Sequence, residues 1–145
     1  MPDEKFKPSG TIIAFDFGLK RIGVAVGQTL TGSANSLAVV PFTKQPDWQA
    51  ISKILAEWKP VAIVVGLPLS GDGGETDMSK RARRFGRQLE GRFGTPIVFE
   101  DERLTSFSAE QRFVGARAGS GMRRKDAALK DAMAAQIILE SWLQS

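Results

Sequence analysis

The chain has 145 residues, with 42% apolar and 25% charged side chains, the size and balance of one globular domain and not of a disordered chain. It has no cysteine and no histidine, which excludes a disulfide framework, thiolate metal sites, histidine-based triads and most zinc centres. The net charge of +4 is a modest excess that favours an anionic partner only weakly, so its distribution along the chain matters more.

Residues 1–10, MPDEKFKPSG, carry acids and a proline but no apolar run, and read as a flexible leader and not a signal peptide. Residues 11–145 read as a single domain. The longest candidate for a membrane span, VAIVVGLPL at 61–69, is far too short. A soluble, cytoplasmic protein without a membrane partner is therefore expected.

Thr11–Phe17 is a continuous β-rich run that predicts a strand buried on both faces. Gly18 permits a turn through Leu19, Lys20 and Arg21. Ile22–Gly27 then alternates branched residues (Ile22, Val24, Val26) with small ones (Gly23, Ala25, Gly27), which predicts a second strand antiparallel to the first. Ser36–Phe42 is the third expected strand. Asp47 is a candidate N-cap for a helix whose apolar face is Ile51, Ile54, Leu55 and Trp58, and Pro60 ends it. Val61–Gly66 predicts a central strand parallel to the first. The loop GLPLSGDGGE precedes an amphipathic helix from Thr76 to Phe93. Pro96–Phe99 predicts a short strand, Phe107–Phe113 a short helix, GARAGSGMRRK a basic glycine-rich loop, and Asp126–Leu143 a long alanine-rich helix. The expected fold is α/β: a mixed five-stranded sheet, its first three strands antiparallel, flanked by helices.

Three acids stand out. Asp16 falls late in the first strand, where an unpaired buried carboxylate costs several kcal/mol. Glu100, Asp101 and Glu102 close the last strand, and ligands gather at the carboxyl ends of parallel strands. Asp131 lies on the helical stripe of Ala127, Ala128, Ala134, Ala135, Ile138 and Trp142. Each has a purely structural reading: a turn-forming Asp, a solvated charge run, a partner for Lys130 or Arg124. Together they favour a shared site. Converging carboxylates repel unless a cation intervenes, and Mg²⁺ or Mn²⁺, which prefer oxygen ligands, would relieve the conflict and allow hydrolysis without histidine. The DFG at 16–18 is not the kinase motif, because no glycine-rich GxGxxG loop or HRD segment accompanies it. A strand Asp followed by Gly also begins the phosphate hairpin of sugar kinases and actin, but that architecture needs two such domains.

Taken together, FDFGLKRIGVAVG, VVGLPL, DERLTS and KDAMAAQIILESWL resemble the bacterial pre-16S rRNA nuclease family, also described as Holliday-junction-resolvase-like, over about Ile12 to Leu143. The resemblance implies a ribonuclease H-like fold, phosphodiester cleavage, and 5′-end maturation of small-subunit rRNA. It also implies Asp16, Glu102 and Asp131 as the catalytic acids that hold Mg²⁺ or Mn²⁺. The expected partner is nucleic acid, either precursor rRNA or branched DNA, bound by a monomer or a homodimer. Resolution of four-way DNA junctions and a non-catalytic RNA-binding role remain as alternatives.

Two basic clusters are candidate phosphate contacts. Lys80, Arg84 and Arg87 share a helical face with Arg81 and Arg83 beside it, and Arg123, Arg124 and Lys125 precede the helix of Asp131. Arg21 and Arg103 complete the set. The SGDGG loop reads as a turn with an N-cap and not a phosphate cradle, since Asp72, Glu75 and Asp77 would repel an anion. Trp48, Trp58 and Trp142 read as core.

Overall fold

β1 (Thr11–Asp16) and β2 (Arg21–Gln28) form a hairpin in which Asp16 lies opposite Gly23. The computed structural model describes residues 8–102 and the helix 124–144, with the side chains of that helix from Lys130 onward. β3 (Ser33–Pro41) continues the antiparallel meander, with a bulge at Val24 and Ala25. It starts three residues before the expected Ser36, because Ser33 to Asn35 pair with Gln28 to Val26. Gly10, the last residue of the expected leader, is tied down: its N–H donates to the Thr29 hydroxyl at 2.8 Å and its carbonyl accepts from the Thr29 N–H at 3.1 Å.

α1 (Trp48–Trp58) starts where Asp47 accepts the Ala50 N–H at 3.1 Å, and ends on Lys59 in the left-handed conformation, immediately before Pro60. β4 (Ala62–Leu67), buried at every residue, lies parallel to β1. The loop after it folds on itself: Ser70 bonds to Asp72, and the Gly74 N–H donates to both side chains. This is a closed turn, and Thr76 and Ser79 then form a capping box for α2 (Asp77–Phe93). β5 (Ile97–Asp101) pairs parallel with β4, and α3 (Arg124–Gln144) closes the described chain. The expected helix at 107–113 and the loop GARAGSGMRRK before α3 lie outside the described residues, apart from its last two residues, Arg124 and Lys125, which open α3.

The sheet order is β3-β2-β1-β4-β5, the expected mixed sheet. Its two faces are built differently. One carries Ile13, Phe15, Ile22, Val24, Ile63 and Val65 and packs on α1 and α2 through Ile51, Leu55, Phe85 and Leu89. The other carries Ile12, Ala14, Ala25, Ala62 and Val64 and packs on α3 through Ala135, Ile138, Leu139 and Trp142. Small residues on this second face let α3 lie close against the strands. Trp142 is fully buried there, whereas Trp48 and Trp58 border the first core; Trp48 stacks on Phe85 and carries Arg92 over its ring at 4.1 Å.

Two glycines of α2 separate backbone cost from packing need. A Cβ on Gly91 would meet nothing within 4 Å, whereas one on Gly86 would lie 2.6 Å from the Phe99 ring. Gly91→Ala is expected to stabilise the protein by about 0.5–1 kcal/mol by restricting the unfolded chain, seen as a rise of about 1–4 °C in thermal melting. Gly86→Ala should lower the melting temperature.

Candidate active site

Strand alternation decides which face each acid serves. Asp16 follows Ile12 and Ala14 on the α3 side of β1. Glu102, one residue beyond β5, follows Val98 and Glu100 on the same side. Glu100 is 7% exposed and accepts the Ser141 hydroxyl of α3 at 2.9 Å. The acidic run 100–102 is therefore no solvated stretch: Glu100 binds the helix and Glu102 turns to the site.

β4 stands between β1 and β5, so the backbones carrying Asp16 and Glu102 are about 10 Å apart, two interstrand spacings. Their side chains meet by reaching over Gly66. A Cβ on Gly66 would lie 2.9 Å from Glu102 Cδ and 3.0 Å from Glu102 Cγ, so a larger residue would obstruct the bridge. The Asp16 and Glu102 carboxyls face each other closely enough to act on one another directly. Burial, before all else, pushes the Asp16 carboxyl well above the usual carboxylate range; the charge of Glu102, the hydrogen bond to Glu102 and the charge of Asp131 add to it. Glu102 is also raised, chiefly by burial and further by Asp101, while the hydrogen bond from Asp16 pulls the other way.

A second glycine places the third acid. Gly23 lies opposite Asp16, and a Cβ there would fall 2.0 Å from the Asp131 carbonyl oxygen. The α3 backbone thus rests directly on β2 at Asp131. Two residues back on the same strand face, Arg21 Nε donates to Asp131 Oδ2 at 2.6 Å. The three acids gather at one end of the sheet as two plus one: Asp16 with Glu102, and Asp131 with Arg21. Among the described residues, no group of three ligating side chains is disposed to enclose an ion in this arrangement. The donor set nonetheless fits a hard cation: two carboxyls face each other, and a third is near enough for its charge to raise Asp16 further, a repulsion that a cation would relieve.

The basic residues divide. Lys80, Arg81, Arg84 and Arg87 are exposed on α2, which packs on the opposite sheet face from the acids. Since β4 leads into α2, the Lys80 and Arg81 end lies toward the carboxyl edge shared with Asp16 and Glu102. Arg83 is engaged locally: it binds Glu75 through Nε at 2.9 Å and Nη2 at 3.1 Å, and sits over the Phe99 ring. Arg83 holds the Glu75 carboxyl below its ordinary range. Arg103 and Arg123 lie outside the described residues, as do the side chains of Arg124 and Lys125.

Sequence reasoning missed Gly23 and Gly66 as parts of the site. The signal was present for Gly23, whose strand alternates branched with glycine and alanine residues; for Gly66 only a glycine ending a buried strand marked it.

Comparison with known proteins agrees with this architecture. Residues 10–145 match a family model described as RuvX: Holliday junction resolvase. A Pseudomonas aeruginosa protein named "Putative pre-16S rRNA nuclease" is 44% identical over 94% of both chains. A protein of the same name from Actinobacillus succinogenes is 49% identical over 92% of this chain and 94% of its own. Among solved structures, T. thermophilus RuvC in complex with Holliday junction substrate aligns with a TM-score of 0.50 at 15% identity, over 89% of this chain and 91% of that one. That likeness shows the fold, the expected ribonuclease H-like arrangement.

Proposed function

The chain belongs to the RuvX family, and from that membership we propose that it is a divalent-metal-dependent nuclease that matures the 5′ end of precursor 16S rRNA. Its relatives' name supports the substrate. The observation that carries the chemistry is the meeting of Asp16 and Glu102 over Gly66: two carboxyls brought from non-adjacent strands into one place, where the charge of Glu102 raises the cost of ionising Asp16. A fold retained only for stability would gain by replacing such a pair with apolar residues.

Asp16, Glu102 and Asp131 are the residues that would hold Mg²⁺ or Mn²⁺. Bound there, the ion would supply Lewis-acid polarisation of a phosphoryl oxygen and the acidity that makes water a nucleophile at neutral pH. The chain's own contribution is placement: Gly66 lets the pair close, Gly23 seats Asp131, and partial burial limits the hydration of Asp16 and Glu102. Arg21 and, on α2, Lys80, Arg81, Arg84 and Arg87 provide positive charge for phosphates, with Arg103, Arg123, Arg124 and Lys125 assigned from sequence; Arg83 serves more weakly, being held by Glu75. Such contacts position a polynucleotide without reading its sequence. The unit is the single domain 11–145, acting where nascent rRNA is, in the cytoplasm; among the described residues no helix is long and apolar enough to cross a membrane.

The family description and the fold likeness favour one second reading, resolution of four-way DNA junctions, which needs two coordinated cuts and hence a two-fold dimer. Incubating the protein with precursor rRNA and with a synthetic junction, each with Mg²⁺, Mn²⁺ or chelator, decides between them. Cleavage of the RNA that disappears in chelator is the expected result. Paired symmetric nicks in the junction beside intact RNA would transfer the assignment to junction resolution.

A further inference from the structure

Arg21 is held in place by the fold. It opens β2 opposite Pro41, and the neighbouring Lys20 carbonyl accepts the Phe42 N–H at 3.0 Å. From that fixed backbone its guanidinium reaches an acid 110 residues away at 2.6 Å. The pair is half-open to water, with side-chain exposures of 41% for Arg21 and 27% for Asp131. An ion pair so exposed is held weakly, so little is given up when a divalent cation arrives. The guanidinium is also the group best shaped to grip a phosphate with two hydrogen bonds.

On the basis of the proposed metal site, we infer that Arg21 is a placeholder cation: it occupies Asp131 while the site is metal-free, gives up that carboxylate to the divalent ion, and then takes a phosphate of the bound polynucleotide. One residue thereby couples metal loading to substrate binding. Without metal the acids repel the polynucleotide and Arg21 is engaged with Asp131; with metal the acids are neutralised and the guanidinium is available. By linkage, substrate must tighten metal binding by the same factor. Arg21 acts here as a positioning residue for both ligands.

Two measurements without turnover test this. In the first, Mn²⁺ alone is titrated into wild type, Arg21→Gln and Lys20→Gln, and free Mn²⁺ is read by electron paramagnetic resonance. Lys20 is exposed on the same hairpin, so Lys20→Gln removes an equal charge near the site. Arg21→Gln should bind Mn²⁺ about fivefold more tightly, or about 1 kcal/mol, and Lys20→Gln should change it by about twofold or less because a solvated charge is screened. In the second, binding of a fluorescent single-stranded RNA is measured in chelator and in Ca²⁺, an oxygen-seeking ion used in place of Mg²⁺. Arg21→Gln should leave binding in chelator unchanged and weaken it several-fold in Ca²⁺. Arg21→Lys keeps the charge without the planar fork; it should fall between the two in both assays, and carries the test if the Gln variant melts below the working temperature. Equal Mn²⁺ shifts for Arg21→Gln and Lys20→Gln would overturn the inference in favour of bulk charge, and equal weakening of RNA in chelator and Ca²⁺ would reduce Arg21 to an ordinary phosphate contact. Wild-type Mn²⁺ binding that ignores Asp16→Asn would remove the metal site itself, a failure recognisable without any Arg21 variant.

Discussion

Asp16→Asn is expected to abolish cleavage while making the metal-free protein more stable. On the proposed function, the loss follows from removing one carboxylate of the central pair: a cation bound there would supply several kcal/mol of transition-state stabilisation, so the rate should fall by about 10²- to 10⁴-fold. Polynucleotide binding should be retained or strengthened, because a negative charge facing phosphates is gone. The gain in stability follows from the direction in which the fold moves the Asp16 carboxyl. Asp16 has a folded pKa raised above its unfolded value, so its contribution is fully present below the unfolded pKa of about 3.9 and is lost as pH rises through the folded one. Metal-free wild type must therefore weaken across that window relative to the variant. The Asn amide can donate to Glu102 at any pH, as a protonated Asp16 can. Melting temperatures in chelator should thus coincide near pH 4 and separate toward neutrality, with the variant higher. Mg²⁺ or Mn²⁺ should reverse the order, because it stabilises only the chain that binds it. A variant that cleaves precursor rRNA at the wild-type rate would favour the non-catalytic assembly reading.

Gly23→Ala should be the most damaging single-methyl change in the described protein. The added carbon would stand 2.0 Å from the Asp131 carbonyl oxygen and 2.6 Å from its carbon. Both belong to backbone inside α3, so no rotamer can relieve the clash and the helix must lift from the sheet. Overpacking of this kind costs about 1–3 kcal/mol or more, a fall of roughly 3–12 °C for a domain of this size. Lifting α3 also carries Asp131 away from Asp16 and from Arg21, so cleavage should drop further than stability accounts for, measured well below the melting point of either protein. Gly66→Ala is the instructive partner. Its new carbon would meet the ends of two side chains, Ile138 Cδ1 at 2.6 Å and Glu102 Cδ at 2.9 Å. Side-chain ends can move, so it should destabilise less than Gly23→Ala and yet displace Glu102 and impair cleavage. If Gly23→Ala melts with wild type and cleaves normally, α3 does not rest on β2 as described.

Most of the scaffold was legible because local rules and tertiary needs agree in it. A run as apolar as Val61 to Gly66 has no stable place except a strand covered on both faces, and Asp47 precedes an amphipathic helix that needs a cap; Thr76, expected as the first residue of its helix, is instead its N-cap. Asp16 and Asp131 stood out for the same reason, as charges where the pattern demands apolar groups. The acidic run 100–102 was harder, since three acids in a row usually mean solvent. Only the end of β5, with its two-residue period, sends Glu100 to Ser141 and Glu102 to Asp16.

By itself, then, the sequence determined the α/β class, the antiparallel start of the sheet and the Asp47 cap, and it singled out the acids proposed for the site. The tertiary structure alone decided how those acids are shared out: Asp16 with Glu102 across Gly66, Asp131 with Arg21 above Gly23. Pattern and propensity act over a few residues, whereas the placing of a carboxylate depends on which atoms, from 36 to 110 positions away, leave it room or meet its charge. A glycine at a contact of that kind looks in sequence like any other small residue of a strand; only the helix lying against it shows what the missing side chain makes possible.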